Sequence, residues 1–257
     1  MYYYGIHLDV PNAVYPPSDD SFLLMNNITP RGRVLEVGTG SGLVAIALAR
    51  KGHDVVATDI NPQALMAVRR NALENGVDGR VNVVRADLLN GIRGPFDTVV
   101  FNPPYLPSRP LGELRGIGEL GSPGALDRLA TGPAYGQLGA CTPNRISEHD
   151  DGGAQEEAQG AEAEDEAGED DGPEEPDDWL SRSWMGGKGG SEVLGRFMGE
   201  LSRCLASGGK GYLVVSSLTE FKLPPDSGLD FRVLAEQGLP FERLFVLEVF
   251  RRPEGSR

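Results

Sequence analysis

Four short runs rich in branched apolar residues recur early in the chain: RVLEVG at Arg33–Gly38, DVVATD at Asp54–Asp59, VNVVRAD at Val81–Asp87 and FDTVVFN at Phe96–Asn102. Runs this short and continuous, without in/out alternation, are what strands covered on both faces look like. The sequence between them has the other period. Leu43, Ile46, Ala47 and Arg50 recur at helical spacing within Gly42–Lys51, and Pro62–Asn75 opens on a proline suited to a first helical turn. Further on, Ser191 can cap a helix that carries Leu194, Phe197, Met198, Leu201 and Leu205 on one face. Gly211–Ser217 then reads as a fifth strand, Leu229–Gln237 as a short helix and Phe241–Arg252 as one or two closing strands. This alternation predicts an α/β architecture built on a doubly wound, mostly parallel sheet.

One tract breaks the pattern. Residues 108–179 show no clear period, too long a stretch for an ordinary loop. Ser108–Ser147 is rich in Gly and Pro. Glu148–Asp178 holds 16 of the chain's 38 acidic residues with no Lys or Arg, so the net charge of −14 belongs to this segment. It lacks aromatic and branched apolar residues and cannot offset the entropy of ordering, so it reads as a largely disordered, solvated insertion. The expectation is one domain formed by residues 1–107 and 180–257, interrupted by the insertion at 108–179. No run of about 18 apolar residues occurs and MYYYGIHLDV has no basic-then-apolar leader pattern, which predicts a cytoplasmic protein without a membrane span. Cys141 and Cys204, with His7, His53 and His149, have no metal-ligand spacing, so no metal site is expected.

In doubly wound sheets, ligands bind beyond the carboxyl ends of the strands. The first run ends in Glu36-Val37-Gly38-Thr39-Gly40-Ser41-Gly42, a glycine-rich strand-to-helix turn with an acid two residues before the first glycine. A carboxylate there repels a pyrophosphate and attracts an ammonium or sulfonium. The second run ends in Asp59-Ile60, where an acid can accept both ribose hydroxyls; Asp59 can also cap the helix that starts near Pro62. The third ends in Asp87-Leu88, suited to an adenine amino group and the face of its ring, although an Asx turn is an equal reading of Asp87 taken alone. Together, acids for an amino group, a ribose and an adenine describe S-adenosylmethionine.

The ordered set EVGTGSG, TDINP, ADLL and FNPPY resembles the class I S-adenosylmethionine-dependent methyltransferases, whose fold is Rossmann-like, and within them the branch whose [N/D]-PP-[Y/F/W] motif methylates a planar amino nitrogen. The resemblance gives FNPPY a purpose. An amide or exocyclic amine is a poor nucleophile because its lone pair is delocalised. The Asn102 side-chain oxygen and the Pro103 carbonyl can each accept one N–H and aim the lone pair, Pro104 stiffens the turn, and Tyr105 can stack on the flat group.

Two further stretches narrow the resemblance. Val14–Phe22, VYPPSDDSF, and Trp184–Phe197, WMGGKGGSEVLGRF, are similar to segments of the eukaryotic and archaeal release factor glutamine methyltransferases, the HemK/PrmC-related group. That similarity implies N5-methylation of the glutamine in the Gly-Gly-Gln motif of a peptide chain release factor. It also implies a small zinc-ribbon activating subunit that pairs with an exposed sheet edge to form a heterodimer. Tyr15, Asp20, Ser21 and Trp184 would then shape the acceptor site and Lys188 to Gly190 its rim. Two departures from the family are the insertion and a C-terminal stretch, LPFERLFVLEVFRR, that reads as compressed where the family has a longer final β-hairpin. The alternatives are an adenine-N6 methyltransferase acting on DNA or RNA, disfavoured by the near-neutral charge outside the insertion, and a non-catalytic binding protein, disfavoured by the intact polar set.

Overall fold

The chain opens with a two-residue ladder, β1 (Tyr2–Tyr3) against β2 (Ile6–His7), and a short helix, α1 (Asp19–Asn27), in a computed structural model that describes residues 1–106, 179–187, 190–219, 221–224 and 226–252. The expected insertion, apart from Trp179, and Lys188 and Gly189 of the expected rim lie outside the described residues. The apolar runs then follow as β3 (Val34–Val37), β4 (Val55–Asp59), β5 (Val81–Arg85) and β6 (Phe96–Phe101), with α2 (Leu43–Arg50) and α3 (Pro62–Glu74) between the first three. Later come α4 (Trp179–Arg182), α5 (Glu192–Cys204), β7 (Leu205–Ser216), β8 (Leu229–Gly238) and β9 (Arg243–Arg251).

Seven strands form one sheet in the order β5-β4-β3-β6-β7-β9-β8. The first five are parallel; β9 runs antiparallel to β7 and β8 antiparallel to β9. The expected doubly wound sheet is therefore present, with an antiparallel hairpin closing one edge. Each face carries its own apolar core. Leu24, Ile46, Leu48 and Val68 of α1–α3 pack with Val34, Val100 and Val214 on one face. Leu194, Phe197, Met198 and Leu201 of α5 pack with Val37, Phe101 and Leu213 on the other, where the Phe101 and Phe197 rings lie 4.6 Å apart. Among the described residues no helix is long and apolar enough to cross a membrane.

Several boundaries differ from the sequence reading. Leu229–Gly238 is an edge strand, not a helix. Leu229, Phe231 and Val233 point to one core and, after a bulge between Val233 and Ala235, Leu234 and Ala235 pack on the other. The bulge breaks the period-two alternation and leaves spacings that mimic a helix. The C-terminal stretch forms an antiparallel hairpin with ten residues in β8 and nine in β9. Strand β7 starts at Leu205, directly after α5, because its backbone runs through Gly208 and Gly209 and a register shift lets it rejoin β6. Ser191 stands at the N-cap of α5, but its side chain makes no capping bond.

Candidate active site

A cavity of about 510 Å³ opens at the carboxyl ends of the strands. It lies where β3 has β4 on one side and β6 on the other, the point at which chain connections diverge and leave a crevice. One half is walled by the turns after β3, β4 and β5. Glu36 is buried there and accepts a hydrogen bond from Thr39 Oγ1 at 2.7 Å. Burial pushes its carboxyl up to about 8, against the pull of the Thr39 bond, and neighbouring Asp59 adds to the rise. Asp59 accepts from the Gly40 N–H and the Asn61 N–H, both at 2.9 Å, so it clamps the glycine turn; burial raises its pKa as well. Capping of α3 falls to Asn61, whose Oδ1 accepts from the Gln63 N–H, and not to Asp59. Ile60, Ala86 and Leu88 supply apolar walls, and Leu88 is held at φ 52°, a left-handed conformation that a bulky residue adopts only under constraint.

The other half lies over β6, β7 and the β8–β9 turn. Asn102 Oδ1 is buried and makes no hydrogen bond among the described residues. An unpaired buried carbonyl oxygen costs roughly 1–3 kcal/mol, a cost that a ligand N–H would remove. Beside it Asp20, itself buried, accepts from Tyr15 Oη at 3.0 Å and Tyr105 Oη at 3.3 Å, and also from Ser21 Oγ at 3.0 Å. Burial, then the Asp20 charge, raises both phenols, so each tyrosine stays a donor and its ring orientation is fixed. Trp184 meets the Tyr15 ring edge-on at 5.7 Å.

The two chain ends that flank the undescribed tract are joined at the cavity mouth. The Leu106 N–H donates to Trp184 O at 2.8 Å and the Gly186 N–H returns to Leu106 O at 2.7 Å. Contact is backbone on backbone: a Cβ on Gly190, which has φ +70°, would collide with the Tyr105 carbonyl oxygen. The N-terminal segment is stitched along α3 by asparagines. Asn75 takes the His7 N–H and gives to the His7 carbonyl, and Asn71 does the same for Asp9 while also donating to Ser41 O. Four residues of helix rise about 6 Å and two extended residues span about 6.6 Å, so the two registers match. Replacing Asn75 with Ala strips His7 of both bonds and is expected to lower stability by about 1–2 kcal/mol, read as a lower urea midpoint at unchanged m-value.

Most residues expected from the sequence meet at this cavity: Glu36, Gly38, Thr39, Gly40, Asp59, Ile60, Leu88, Asn102, Pro103, Pro104, Tyr105, Tyr15, Asp20, Ser21 and Trp184 line it. Two do not. Gly42 is turned away, its φ of 86° serving the start of α2 and its missing Cβ making room for Val68. Asp87 points outward to Arg196 of α5, at 2.6 Å, leaving Ala86 and Leu88 on the wall. The sequence reading missed Asn61, Asn71 and Asn75, Arg182, and Glu242 of the β8–β9 turn. Of these, Asn71 and Asn75 were detectable as two asparagines at helical spacing on one predicted helix. Glu242 had no local signal, because the β8–β9 hairpin brings it to the site.

Comparison with known proteins gives the same outline. The family model described as "Methyltransferase small domain" matches residues 19–110. A Methanocaldococcus jannaschii protein with the provisional name protein N5-glutamine methyltransferase is 31% identical over 255 residues, covering 96% of each chain. A release factor glutamine methyltransferase of Chlorobaculum tepidum is 36% identical over 124 residues, 41% of this chain and 42% of that protein. Among solved structures, a ribosomal protein L11 methylase of Lactobacillus delbrueckii subsp. bulgaricus superposes with a TM-score of 0.51 at 16% identity, covering 96% of this chain and 85% of that one, a likeness of fold.

Proposed function

The chain belongs to the protein N5-glutamine methyltransferase family of class I S-adenosylmethionine-dependent enzymes, related to the HemK/PrmC release factor methyltransferases, and from that membership we propose that it methylates the side-chain amide of the glutamine in the Gly-Gly-Gln motif of a peptide chain release factor. The choice of glutamine rests on the family, and the observation that supports transfer to a planar NH2 group is the orphaned Asn102 Oδ1 in the acceptor half of the cavity. A primary amide has two N–H groups. Asn102 Oδ1 takes one and the Pro103 carbonyl the other, which fixes both hydrogens and aims the nitrogen lone pair toward the donor half. Tyr105 covers the amide face, held in place by Asp20. No strong base is required: methylation makes the nitrogen acidic, and its proton leaves late.

S-adenosylmethionine, the family's methyl donor, supplies an electrophilic methyl carbon when bound. Glu36 would hold its ammonium and Asp59 its ribose, Ile60 and Leu88 would cover the adenine, and Asp87 would have to release Arg196 to reach the adenine amino group. The burial of Glu36 makes a pH prediction. Its pKa is raised above the unfolded value, so the folded chain binds the extra proton, and stability falls as pH rises from about 4.5 through about 8. A cation beside Glu36 favours the carboxylate, so binding below pH 8 releases a proton. Affinity for S-adenosylmethionine is expected to rise with pH up to about 8, by at most about tenfold per pH unit, and this limb is expected to vanish in Glu36→Gln. Isothermal titration in buffers of different ionisation enthalpy reads the proton count directly.

Residues 1–107 and 180–257 form the single catalytic domain in this reading, and the protein acts in the cytoplasm. A small zinc-ribbon subunit docks on the β5 edge, a reading supported by the exposure of Asn82, Val84 and Arg85 on that open strand. The test is to incubate the chain, with and without such a subunit, with S-adenosylmethionine and a release factor and to locate the methyl group by tandem mass spectrometry. Methylation of the Gly-Gly-Gln glutamine is the expected result, and a methyl group on any other residue overturns the assignment.

A further inference from the structure

Hydrogen-bond supply divides the cavity wall in a way the methylation chemistry alone does not explain. In the acceptor half the hydroxyl donors are already spent inside the protein. Tyr15 and Tyr105 both give to Asp20, and Ser216 gives to Glu242 Oε2 at 2.5 Å. Two lining residues carry acceptors not taken up by an internal donor among the described residues: Asn102, through Oδ1, and Glu242, through the carboxylate oxygen that Ser216 does not hold. Among the described lining residues Arg182 is the one cation, against Asp20, Glu36, Asp59, Glu192 and Glu242.

Glu242 sits on the acceptor side by construction of the fold. Leu239 N–H donates to Glu242 O at 2.8 Å, closing the β8–β9 turn, and Arg243 pairs with Gly238 at the start of β9. β9 lies next to β7, whose last residue, the buried Ser216, reaches across to the Glu242 carboxylate. β7 in turn lies next to β6, which delivers Asn102. The carboxylate is close enough to both acceptor-side tyrosines to add to the rise of their pKa values. Among the described residues no second partner holds it, so it is fixed by one oxygen and open at the other.

We propose that Glu242 is a specificity-determining residue of the acceptor site: tethered by Ser216, its carboxylate accepts N–H groups of the polypeptide that flanks the acceptor amide and repels the phosphates that flank a nucleobase. This rests on the glutamine reading above and extends it from the reacting amide to its surroundings. An extended peptide brings a main-chain N–H on either side of the modified residue, whereas a nucleotide brings acceptor oxygens and negative charge to the same place. Asn102 alone does not discriminate between them, because an adenine amino group offers the same pair of N–H bonds as an amide.

The experiment uses the full chain, a peptide carrying Gly-Gly-Gln and an adenine-containing single-stranded DNA. It compares wild type with Glu242→Gln, Glu242→Ala and Ser216→Ala, and measures S-adenosylhomocysteine affinity as a check on the donor half. Expected for Glu242→Ala is a KM for the peptide raised about tenfold or more with kcat and S-adenosylhomocysteine affinity within about threefold, and a smaller shift of the same kind for Ser216→Ala. DNA binding, weak in wild type, is expected to strengthen in both Glu242 variants and to weaken again with salt. An unchanged peptide KM, with wild type still methylating the peptide, overturns the role of Glu242 alone. A KM shift accompanied by an equal loss of S-adenosylhomocysteine affinity also overturns it, as a general disturbance of the fold. Stronger DNA binding by the variants, with no transfer to peptide by wild type, upholds the charge barrier while the glutamine reading falls. Transfer by wild type to DNA in place of peptide overturns both.

Discussion

Replacing Asn102 with Ala is expected to reduce methyl transfer by about a thousandfold or more while leaving cofactor affinity within a few-fold. The expectation follows from what the side chain does and does not touch. Its Oδ1 has no partner among the described residues, so its removal breaks no internal bond and relieves an unsatisfied buried group. Fold stability should hold or rise slightly. What is lost is the acceptor that fixes one amide hydrogen. Without it the attack geometry is no longer preset, an effect of the size that removal of one preorganised polar group has in other enzymes, about 10²–10³ in kcat, plus the cost of lost orientation. Single-turnover kinetics beside equilibrium titration separates the two quantities. A comparable loss of transfer and of cofactor affinity would remove Asn102 from the acceptor site.

The second large effect is expected at Gly190, which has no side chain of its own. With φ at +70° and the Tyr105 carbonyl oxygen in the space a Cβ would fill, Gly190→Ala introduces backbone strain of about 1 kcal/mol and a collision with the segment that carries the acceptor clamp. The least costly relaxation moves Tyr105 and Leu106 away from Trp184 and Met185, opening the mouth. A displacement of about 1 Å at the clamp is enough for about a hundredfold loss of kcat. Cofactor affinity should change little, since the donor half is walled by turns on the other side of β6. Gly199→Ala in α5 is the matched control. Nothing lies within reach of an added Cβ there, and the substitution is expected to stabilise the helix by about 0.5–1 kcal/mol with activity intact. Thermal melts and steady-state kinetics on the two variants suffice, and equal behaviour of the pair would contradict the packing argument.

How far the sequence led can be traced residue by residue. The parallel strands were legible because burial on both faces leaves a dense apolar signature, and one wall of the cavity was legible because each of its parts follows a strand with its own short motif, from Glu36 to Asp59 to Leu88. The edge strand β8 was not, because a single bulge after Val233 inverts which side chains face which core. Asp87 lies two residues beyond the end of β5, and the direction of its carboxylate depends on Arg196, more than a hundred residues away. Glu242 reaches the acceptor half through the pairing of three strands, a relation that no local window contains. Burial gives a similar lesson at Glu248, a carboxylate in the middle of β9. Burial alone would raise its pKa, but bonds from Lys210 and Arg232 outweigh that and lower it, so a charge inside the sheet is held by partners from two neighbouring strands.

The most direct test of the account offers wild-type protein and Asn102→Ala labelled S-adenosylmethionine together with a release factor, the same factor with its Gly-Gly-Gln glutamine replaced, and adenine-containing DNA and RNA. The account predicts label on the intact factor alone, lost with the glutamine and lost with Asn102. Label on nucleic acid, or label on the factor that survives replacement of the glutamine, would contradict it.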